Sequence, residues 1–322
     1  MTPHNKIIDK LHELKVRVKE LYRDRRILIS TKNLLTKYIS KLEEDLNYLK
    51  KEKIGDPEFE KIASFIISQI FLIEDILNRV GEKIDKLYIR FAEELLSKLH
   101  DNNFQTGKNL DIFIIPINTK GMRTYFCITG QSMTFVLCVY NKIYPFNIDF
   151  MGLVAHEISH TEPIIDSFAA STNLERRKIG EILADFLASI MTGFLFLHST
   201  VKWLENIQGV NNIYVETPTH PAWITRLYIL KEMSKKIWKN HILRTLFNDC
   251  LNKYVLDISC IISKISSNEE KILSKGIIEC NNLKDNFYKY KLNESIVGDK
   301  KKMEEDKSII INLHSKIMDG GR

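Results

Sequence analysis

Residues 7–49 carry apolar side chains at alternating steps of three and four, and this pattern constrains the fold more than any other feature. It is interrupted only by Arg25 and Lys32. The residues that recur every seven positions are Ile7, Leu14, Leu21, Leu28, Leu35, Leu42 and Leu49, and those that fill the seam between them are Leu11, Val18, Ile39 and Leu46. This spacing is typical of a helix in a coiled coil.

A second stretch with the same period follows Gly55, Asp56 and Pro57, which suit a helix C-cap, an N-cap and a first helical position. Its apolar residues are Phe59, Ile62, Ile66, Ile70, Ile73, Leu77, Val80, Ile84, Leu87 and Phe91. We therefore predict two helices of roughly 45 residues that fold back as an antiparallel hairpin about 65 Å long. The charges at Arg25 and Lys32 leave open that the first helix is two.

The predicted hairpin admits two roles. It packs on the rest of the chain as a cover, which we favour, or it associates with a second copy or a partner as an intermolecular coiled coil. The composition also favours long helices, because the chain has only 13 Gly and 7 Pro, the residues that break helices, among its 322 residues.

After residue 103 the period of the apolar residues changes. Residues 111–117 and 124–140 are rich in β-branched and aromatic side chains, with a turn expected near Thr129 and Gly130. We predict a small antiparallel sheet here. From Pro145 to about residue 290 the pattern is helical again. The fold class is therefore α+β and mostly helical.

Composition argues against several classes of protein. Five Cys without close pairs form neither a disulfide framework nor a zinc ribbon, and the N-terminus lacks a signal-peptide core, so we expect a cytoplasmic protein. The apolar segment 186–197 has 12 residues, whereas a membrane span needs about 20, so we predict a buried core helix. The net charge of +6 comes from lysines mixed with acids, without a recognition motif, which argues against nucleic-acid binding.

The sequence His156-Glu157-Ile158-Ser159-His160 indicates a metal site. On a helix, positions four apart share one face, so both imidazoles can reach one ion, and neutral imidazole is a good zinc ligand. Zinc lowers the pKa of water toward ~7, so that the Glu157 carboxylate could take its proton. The apolar flanks predict a mostly buried helix, in which these polar side chains are costly without a partner. We predict that this partner is Zn²⁺.

Two residues compete as the third ligand. Asp166 lies ten positions after His156, a spacing used by some zincins, but Pro163 stands where the chain would need a glycine to turn sharply. Glu181 lies on the next predicted helix, four residues before Asp185, which could orient a histidine ligand through a hydrogen bond. We favour Glu181 and keep Asp166 as the alternative.

A third segment, residues 217–230, contains His220, Pro221 and Arg226. Pro221 suits a helix start, so His220 should lie at a loop-to-helix edge from which it can reach a neighbouring site.

Three blocks in this order, H-E-x-S-H, E-x-x-A-D and T-H-P-x-x-x-x-R-x-x-x-L, resemble those of gluzincin endopeptidases such as the CAAX-prenyl proteases and HtpX-type proteases. The resemblance covers residues 125 to 235. It implies that His156, His160 and Glu181 bind zinc, that Glu157 is the general base, that Asp185 orients a ligand, and that His220 or Arg226 stabilises the transition state. It also suggests that strand 133–140 holds an extended substrate by β-augmentation.

The resemblance and the periodicities together predict four segments. These are a helical coiled-coil arm (1–103), a zincin-like metallopeptidase domain (104–240), C-terminal helices that pack on it (241–295) and a mobile tail (296–322). Many members of the family span membranes several times, whereas we predict no membrane span here.

The expected function is zinc-dependent hydrolysis of peptide bonds in a protein or peptide substrate. Two alternatives stay open. One is a cytoplasmic regulatory protease resembling the ImmA-like enzymes, acting on a partner repressor. The other is a non-catalytic, zinc-stabilised coiled-coil adaptor that associates with itself or a partner through its N-terminal helices.

Overall fold

The computed structural model describes residues 3–22, 28–49, 57–79, 86–100, 109–118, 121–130, 132–140, 150–209, 212–237, 252 and 261–290. The first helices are α1 (Pro3–Leu21), α2 (Ile29–Leu49), α3 (Pro57–Arg79) and α4 (Lys86–Leu99). The strands are β1 (Leu110–Ile117), β2 (Met122–Thr129) and β3 (Ser132–Tyr140). The later helices are α5 (Met151–Ser159), α6 (Pro163–Ala169), α7 (Leu174–Thr192), α8 (Phe194–Trp203), α9 (Trp223–Ile237) and α10 (Ser267–Tyr288), with a π-helical turn at Leu204–Gln208.

The N-terminal helices are shorter than the predicted pair of 45-residue helices. Of the first stretch, Pro3–Leu21 form α1 and Ile29–Leu49 form α2, and the described residues Tyr22 and Leu28 between them are not helical, so the first helix is two, which the charges at Arg25 and Lys32 had left open. Of the second stretch, Pro57–Arg79 form α3 and Lys86–Leu99 form α4, while residues 80–85 lie outside the described residues. Pro57 is the first residue of α3 as predicted, while Gly55 and Asp56 lie outside the described residues. In place of a long two-helix hairpin, α1, α2 and α3 all contact one another.

The sheet is mixed, and the prediction of a purely antiparallel sheet was wrong. The strand order is β1-β3-β2, with β3 antiparallel to β2 and parallel to β1. The predicted turn lies at Gly130, whose φ of +59° favours glycine. The tight turn makes β3 the antiparallel neighbour of β2, and β1 pairs with the other edge of β3, where the two strands run in the same direction.

The chain divides into two compact units, of which the first comprises residues 1–167 and 198–209. In this unit the apolar seam of α1 and α2 forms one hydrophobic core with α3 and one face of the sheet. The sheet residues in that core are Phe113, Ile115, Val136 and Cys138. Strand side chains alternate between the two faces, and α4 and α5 contact β1 and β2 in the same unit. Most of the seam is thus buried against other elements of the same unit.

The second unit comprises residues 168–197 and 210–322. Its described helices α7, α9 and α10 contact one another pairwise. The apolar stretch 186–197 is not one helix, because Gly193, with a φ of +59°, ends α7 and α8 begins at the next residue. Its large side chains Phe186, Leu187, Phe196 and Leu197 are buried, as predicted for a core segment. The predicted tail, residues 296–322, lies outside the described residues.

Among the described residues, no helix is both long enough and apolar enough to cross a bilayer. Described residues thus form a mostly helical α+β structure with a three-stranded mixed sheet. The domain boundaries at residues 103, 240 and 295 stay predictions.

The seam of α1 provides a test of this packing. Leu14 is fully buried in the shared core, whereas Val16 on the same helix is 45% exposed. We expect Leu14→Ala to lower the free energy of unfolding by about 2–5 kcal/mol, because it removes buried methyl groups and leaves a cavity. Val16→Ala is the matched control and should cost under about 0.5 kcal/mol. Urea denaturation of both variants measures the difference, and equal effects would contradict the packing.

Candidate metal centre

Helix α5 carries the paired histidines on a nearly fully buried segment. Residues 152–159 are all buried, and the Ser199 hydroxyl accepts a hydrogen bond from the Gly152 amide at 2.9 Å in the first turn. His160 is the residue just after α5, and its φ of −64° keeps the helical path. Because that path continues, His156 and His160 lie one turn apart on the same side of the helix.

The two imidazoles converge as two ligands of one ion would. Their Nε2 atoms are 3.3 Å apart, and the rings are close to perpendicular, with centroids 4.9 Å apart. Two nitrogens bound to one tetrahedral zinc ion at about 2.0–2.1 Å lie about 3.3 Å from each other. The spacing of His156 and His160 therefore fits a metal ion between them.

Glu157 lies beside the first histidine and is only 9% exposed. The hydroxyl of Thr124, on β2, donates a hydrogen bond to Glu157 Oε2 at 3.1 Å. Sequence reasoning identified Glu157 but not Thr124, because a threonine on a strand is common and gives no signal of its own.

Asp166 lies on α6, after a turn that begins at His160. The carboxylate of Glu162 accepts hydrogen bonds from the amides of Ile164 and Ile165, which starts the new helix at Pro163. Burial raises the pKa of Asp166, and the nearby His160 imidazole partly opposes that shift.

Glu181 and Asp185 lie on α7, whose N-cap is Asn173. The Asn173 side chain accepts hydrogen bonds from the amides of Glu175 and Arg176, which is the usual geometry of an N-cap. Asp185 is 1% exposed and Glu181 is partly buried, with 14% of its side chain exposed.

His156, His160 and Glu181 form a group that could hold a metal ion. One possible ligand atom from each lies within 4.8 Å of those from the other two. In the part of the chain that the structure describes, no other group of three or more His, Cys, Asp and Glu side chains has this geometry, and Asp166 is not a member. Two imidazoles and a carboxylate are a donor set that suits zinc.

His220 lies in a loop that fixes its imidazole through two threonines. The Nδ1 atom is 2.9 Å from the Thr219 hydroxyl and 3.4 Å from that of Thr217. The His220 amide also donates to the Thr217 hydroxyl at 2.9 Å. Nε2 lies 3.5 Å from the Glu181 carboxylate, and half of the side chain is exposed. The structure therefore brings His220 beside Glu181, at a loop before α9 as predicted.

Asp185 and Arg226 form a buried, two-point ion pair. Both oxygens of Asp185 accept hydrogen bonds from the guanidinium, at 2.5 and 2.6 Å. The guanidinium also lies 3.9 Å from the ring centroid of Trp223. A planar guanidinium suits such a pair, and Arg226 thereby ties α9 to α7. The predicted hydrogen bond from a histidine to Asp185 stays a prediction.

A buried lysine on α7 completes a row of charged contacts that the sequence did not reveal. Lys178 is 4% exposed, and its ammonium contacts the carboxylates of Glu216 and Glu269. Lys178 lowers the pKa of Glu216, while burial raises that of Glu269. Glu269 also accepts a hydrogen bond from the Ala222 amide at 2.7 Å. These contacts hold both ends of the loop that carries His220.

The contacts of α7 follow one stripe of the helix, since steps of three and four residues lie on one side. The pairs along this stripe are Lys178 with Glu216, Glu181 with His220, and Asp185 with Arg226. The row keeps the candidate ligand Glu181 between two buried ion pairs. Lys178 and Glu216 were not predicted as site residues, because neither lies in one of the three sequence blocks.

Strand 133–140 does not have the role suggested for it. It is the central strand β3, hydrogen-bonded to β1 on one side and to β2 on the other, and all nine of its residues are buried. A paired central strand has no unpaired backbone groups to offer a substrate. The burial of β3 also raises the pKa of the Cys138 thiol on this strand to about 12.

The buried ion pair between Asp185 on α7 and Arg226 on α9 should make a large contribution to stability. We expect Asp185→Ala to lower the free energy of unfolding by about 3–5 kcal/mol, because it removes the carboxylate that balances a buried guanidinium. Glu232→Ala is the matched control, since Glu232 pairs with Lys235 at the surface and such pairs contribute under about 1 kcal/mol. Chemical denaturation of both variants decides the matter, and similar losses would show that the buried pair is not important for stability.

Comparison of the chain with protein-family models, with curated proteins and with solved structures finds no match. The resemblance to gluzincins therefore remains a prediction. A metal centre is inferred from the convergence of His156 and His160 and from Glu181 on α7.

Proposed function

We propose that this protein is a zinc-dependent endopeptidase in which His156, His160 and Glu181 bind the ion. The observation that carries the proposal is the 3.3 Å separation of the two Nε2 atoms on a buried helix. Glu181 supplies a carboxylate, so the three protein ligands of a catalytic zinc site are available and a fourth position is left for water or substrate.

The residue between the histidines favours hydrolysis over other metal chemistry. Two imidazoles and one carboxylate also suit iron(II), which uses the same donors in oxygenases. A hydrolytic site needs a base near the ion in addition, and Glu157 lies next to His156. Zinc with an adjacent glutamate is therefore the better match to the set of side chains.

Each side chain of the site has a separate task in the proposed reaction. Bound zinc supplies Lewis-acid chemistry, which polarises a carbonyl and makes water more acidic. The Glu157 carboxylate takes the proton of the attacking water and can pass it to the leaving amine. The low exposure of Glu157 strengthens its electrostatic interactions with the reacting groups.

His220 is proposed as a hydrogen-bond donor to the oxyanion that forms on the scissile carbonyl. Its Nδ1 is engaged by hydroxyls of the loop, which orients the ring and leaves Nε2 directed toward Glu181. An exposed imidazole held in this way can donate to a substrate oxygen that binds beside Glu181. Arg226 then braces the site through Asp185 and has no contact with substrate in this proposal.

An extended peptide is proposed to bind along β2 in place of β3. β2 is an edge strand of the three described strands, and it contacts α5, on which the base lies. Edge strands present unpaired amides and carbonyls that can pair with an added strand. A peptide on this edge would have its backbone within reach of Glu157.

Metal analysis tests the ligand set. We expect purified protein incubated with zinc and desalted to retain about one ion per chain. Glu181→Ala should lose most of this zinc, because it removes a ligand, whereas Asp166→Ala should retain it. Atomic absorption on both variants distinguishes between the two acids that were predicted as third ligand. Full zinc retention by Glu181→Ala would exclude Glu181 as the ligand.

Peptide hydrolysis tests the base. We expect the zinc-loaded protein to cleave an internally quenched peptide library, and Glu157→Gln to lower kcat by about 10²–10⁴-fold while it keeps its zinc. The amide preserves size and polarity but cannot accept the proton. Glu93→Gln on α4 is the matched control, with the same chemical change away from the histidines, and should cleave like the wild type. Undiminished cleavage by Glu157→Gln would rule out Glu157 as the base.

A further inference from the structure

The contact between β2 and α5 centres on one hydrogen bond. Thr124 Oγ1 donates to Glu157 Oε2 at 3.1 Å, and this bond connects residues 33 positions apart in the sequence. A carboxylate accepts such a bond without needing a proton, so it can form when Glu157 is in its basic form.

The hydroxyl of Thr124 is held in place by the sheet. Thr124 pairs with Leu137 on the buried central strand, and its neighbour Tyr125 packs against the helical core of α1–α3. Because successive side chains on a strand point to opposite faces, Thr124 points to the face on which α5 lies. Its position is therefore set by the backbone pairing of β2 and β3.

Glu157, which accepts this hydrogen bond, lies on a helix whose position is set by burial. Ala155 and Ile158, on either side of His156 and Glu157, are fully buried on α5. The helix is further tied at its start, where the Gly152 amide donates to Ser199. A strand paired to the central strand and a buried helix are thus connected by the hydrogen bond from Thr124 to Glu157.

We infer that Thr124 is a positioning residue that holds the Glu157 carboxylate in the orientation needed to take a proton from water. The inference depends on the proposed function, since it assigns Thr124 a role through the proposed base. Bonding of one carboxylate oxygen to Thr124 removes rotamers in which the carboxylate turns away from the reacting water. Correct orientation before reaction is worth a large factor in rate, because misplacement by even 1 Å is costly.

The size of the effect follows from the strength of the bond. A hydrogen bond to a charged acceptor contributes about 1.5–3 kcal/mol, and 1.36 kcal/mol corresponds to a tenfold change in rate. Loss of the hydroxyl should therefore lower kcat roughly 10- to 100-fold. KM and zinc content should stay within about twofold, because the metal does not contact Thr124 and a peptide added to β2 would pair with its backbone, which the substitution leaves unchanged.

The experiment uses the full chain loaded with zinc and the cleaved library peptide as substrate. Thr124→Val replaces the hydroxyl with a methyl group of nearly the same size and keeps a residue that favours strands. Thr124→Ser keeps the hydroxyl and should retain kcat within about threefold of the wild type. Thr36→Val on α2 is the control for the same chemical change elsewhere and should leave kcat unchanged.

A second measurement does not depend on activity. Crystal structures of the metal-free Thr124→Val and Thr124→Ser variants report the orientation of Glu157. We expect the serine variant to keep the hydrogen bond to Oε2, and the valine variant to show Glu157 in a different rotamer or in several. An unchanged Glu157 rotamer in Thr124→Val would contradict a positioning role.

The outcomes separate this inference from the proposed function. If Glu157→Gln abolishes cleavage and Thr124→Val cleaves like the wild type, the inference fails and the proposed function stands. Equal losses in Thr124→Val and Thr124→Ser also overturn it, since shape and not the hydroxyl would then matter. If the wild-type protein with zinc cleaves no peptide, the proposed function fails and the role assigned to Thr124 fails with it.

Discussion

The candidate site depends on the geometry of a single helical turn. Four residues bring a side chain back to the same side of a helix, and two histidines at this spacing on α5 meet with their Nε2 atoms 3.3 Å apart. The helix is buried over residues 152–159, which include His156, and His160 directly after it is partly buried. A buried pair of imidazole nitrogens that converge on one point is stable when a cation lies between them, because both lone pairs can then be used.

A cation bound by the two histidines also needs a negatively charged ligand. The candidate is Glu181, which lies in a row of charged residues along one side of α7. Lys178 and Asp185, at the two ends of this row, are buried and paired, and Glu181 lies between them. Buried ion pairs are weak evidence for overall stability, but removal of one partner is costly, so such pairs fix the relative positions of the elements they join. The loop that carries His220 is held at both ends. Near its start Glu216 pairs with Lys178, and at its end the Ala222 amide donates a hydrogen bond to Glu269.

The sequence predicted the parts of the structure that depend on local spacing. Most of the heptad seam of α1 and α2 is buried as expected, although Leu21 and Leu28 are partly exposed, and the motif beginning at His156 lies on a buried helix. The break of the N-terminal pattern into α1 and α2 was only an open alternative, because charges at seam positions weaken a helix without specifying where it ends. Strand pairing was predicted less well: the order of β1, β2 and β3 depends on long-range contacts that the spacing of apolar residues does not encode.

The site shows the same division between local and long-range information. Glu181 and His220 were predicted from short patterns, and the structure brings them within 3.5 Å of each other. Thr124 and Lys178 were not, because a threonine on a strand and a lysine on a helix are ordinary residues until the fold places them beside Glu157 and Glu269. Residues of this kind support a site from distant parts of the sequence, and three-dimensional contacts are needed to recognise them.

X-ray absorption spectroscopy of the zinc-loaded protein tests the central claim most directly, because it reports the atoms bound to the ion without reference to activity. The account predicts two imidazole nitrogens, with their characteristic multiple-scattering pattern, and carboxylate or water oxygens, all at about 2.0–2.2 Å. A spectrum without imidazole scattering, or with thiolate sulfur at about 2.3 Å, would contradict a metal centre formed by His156 and His160.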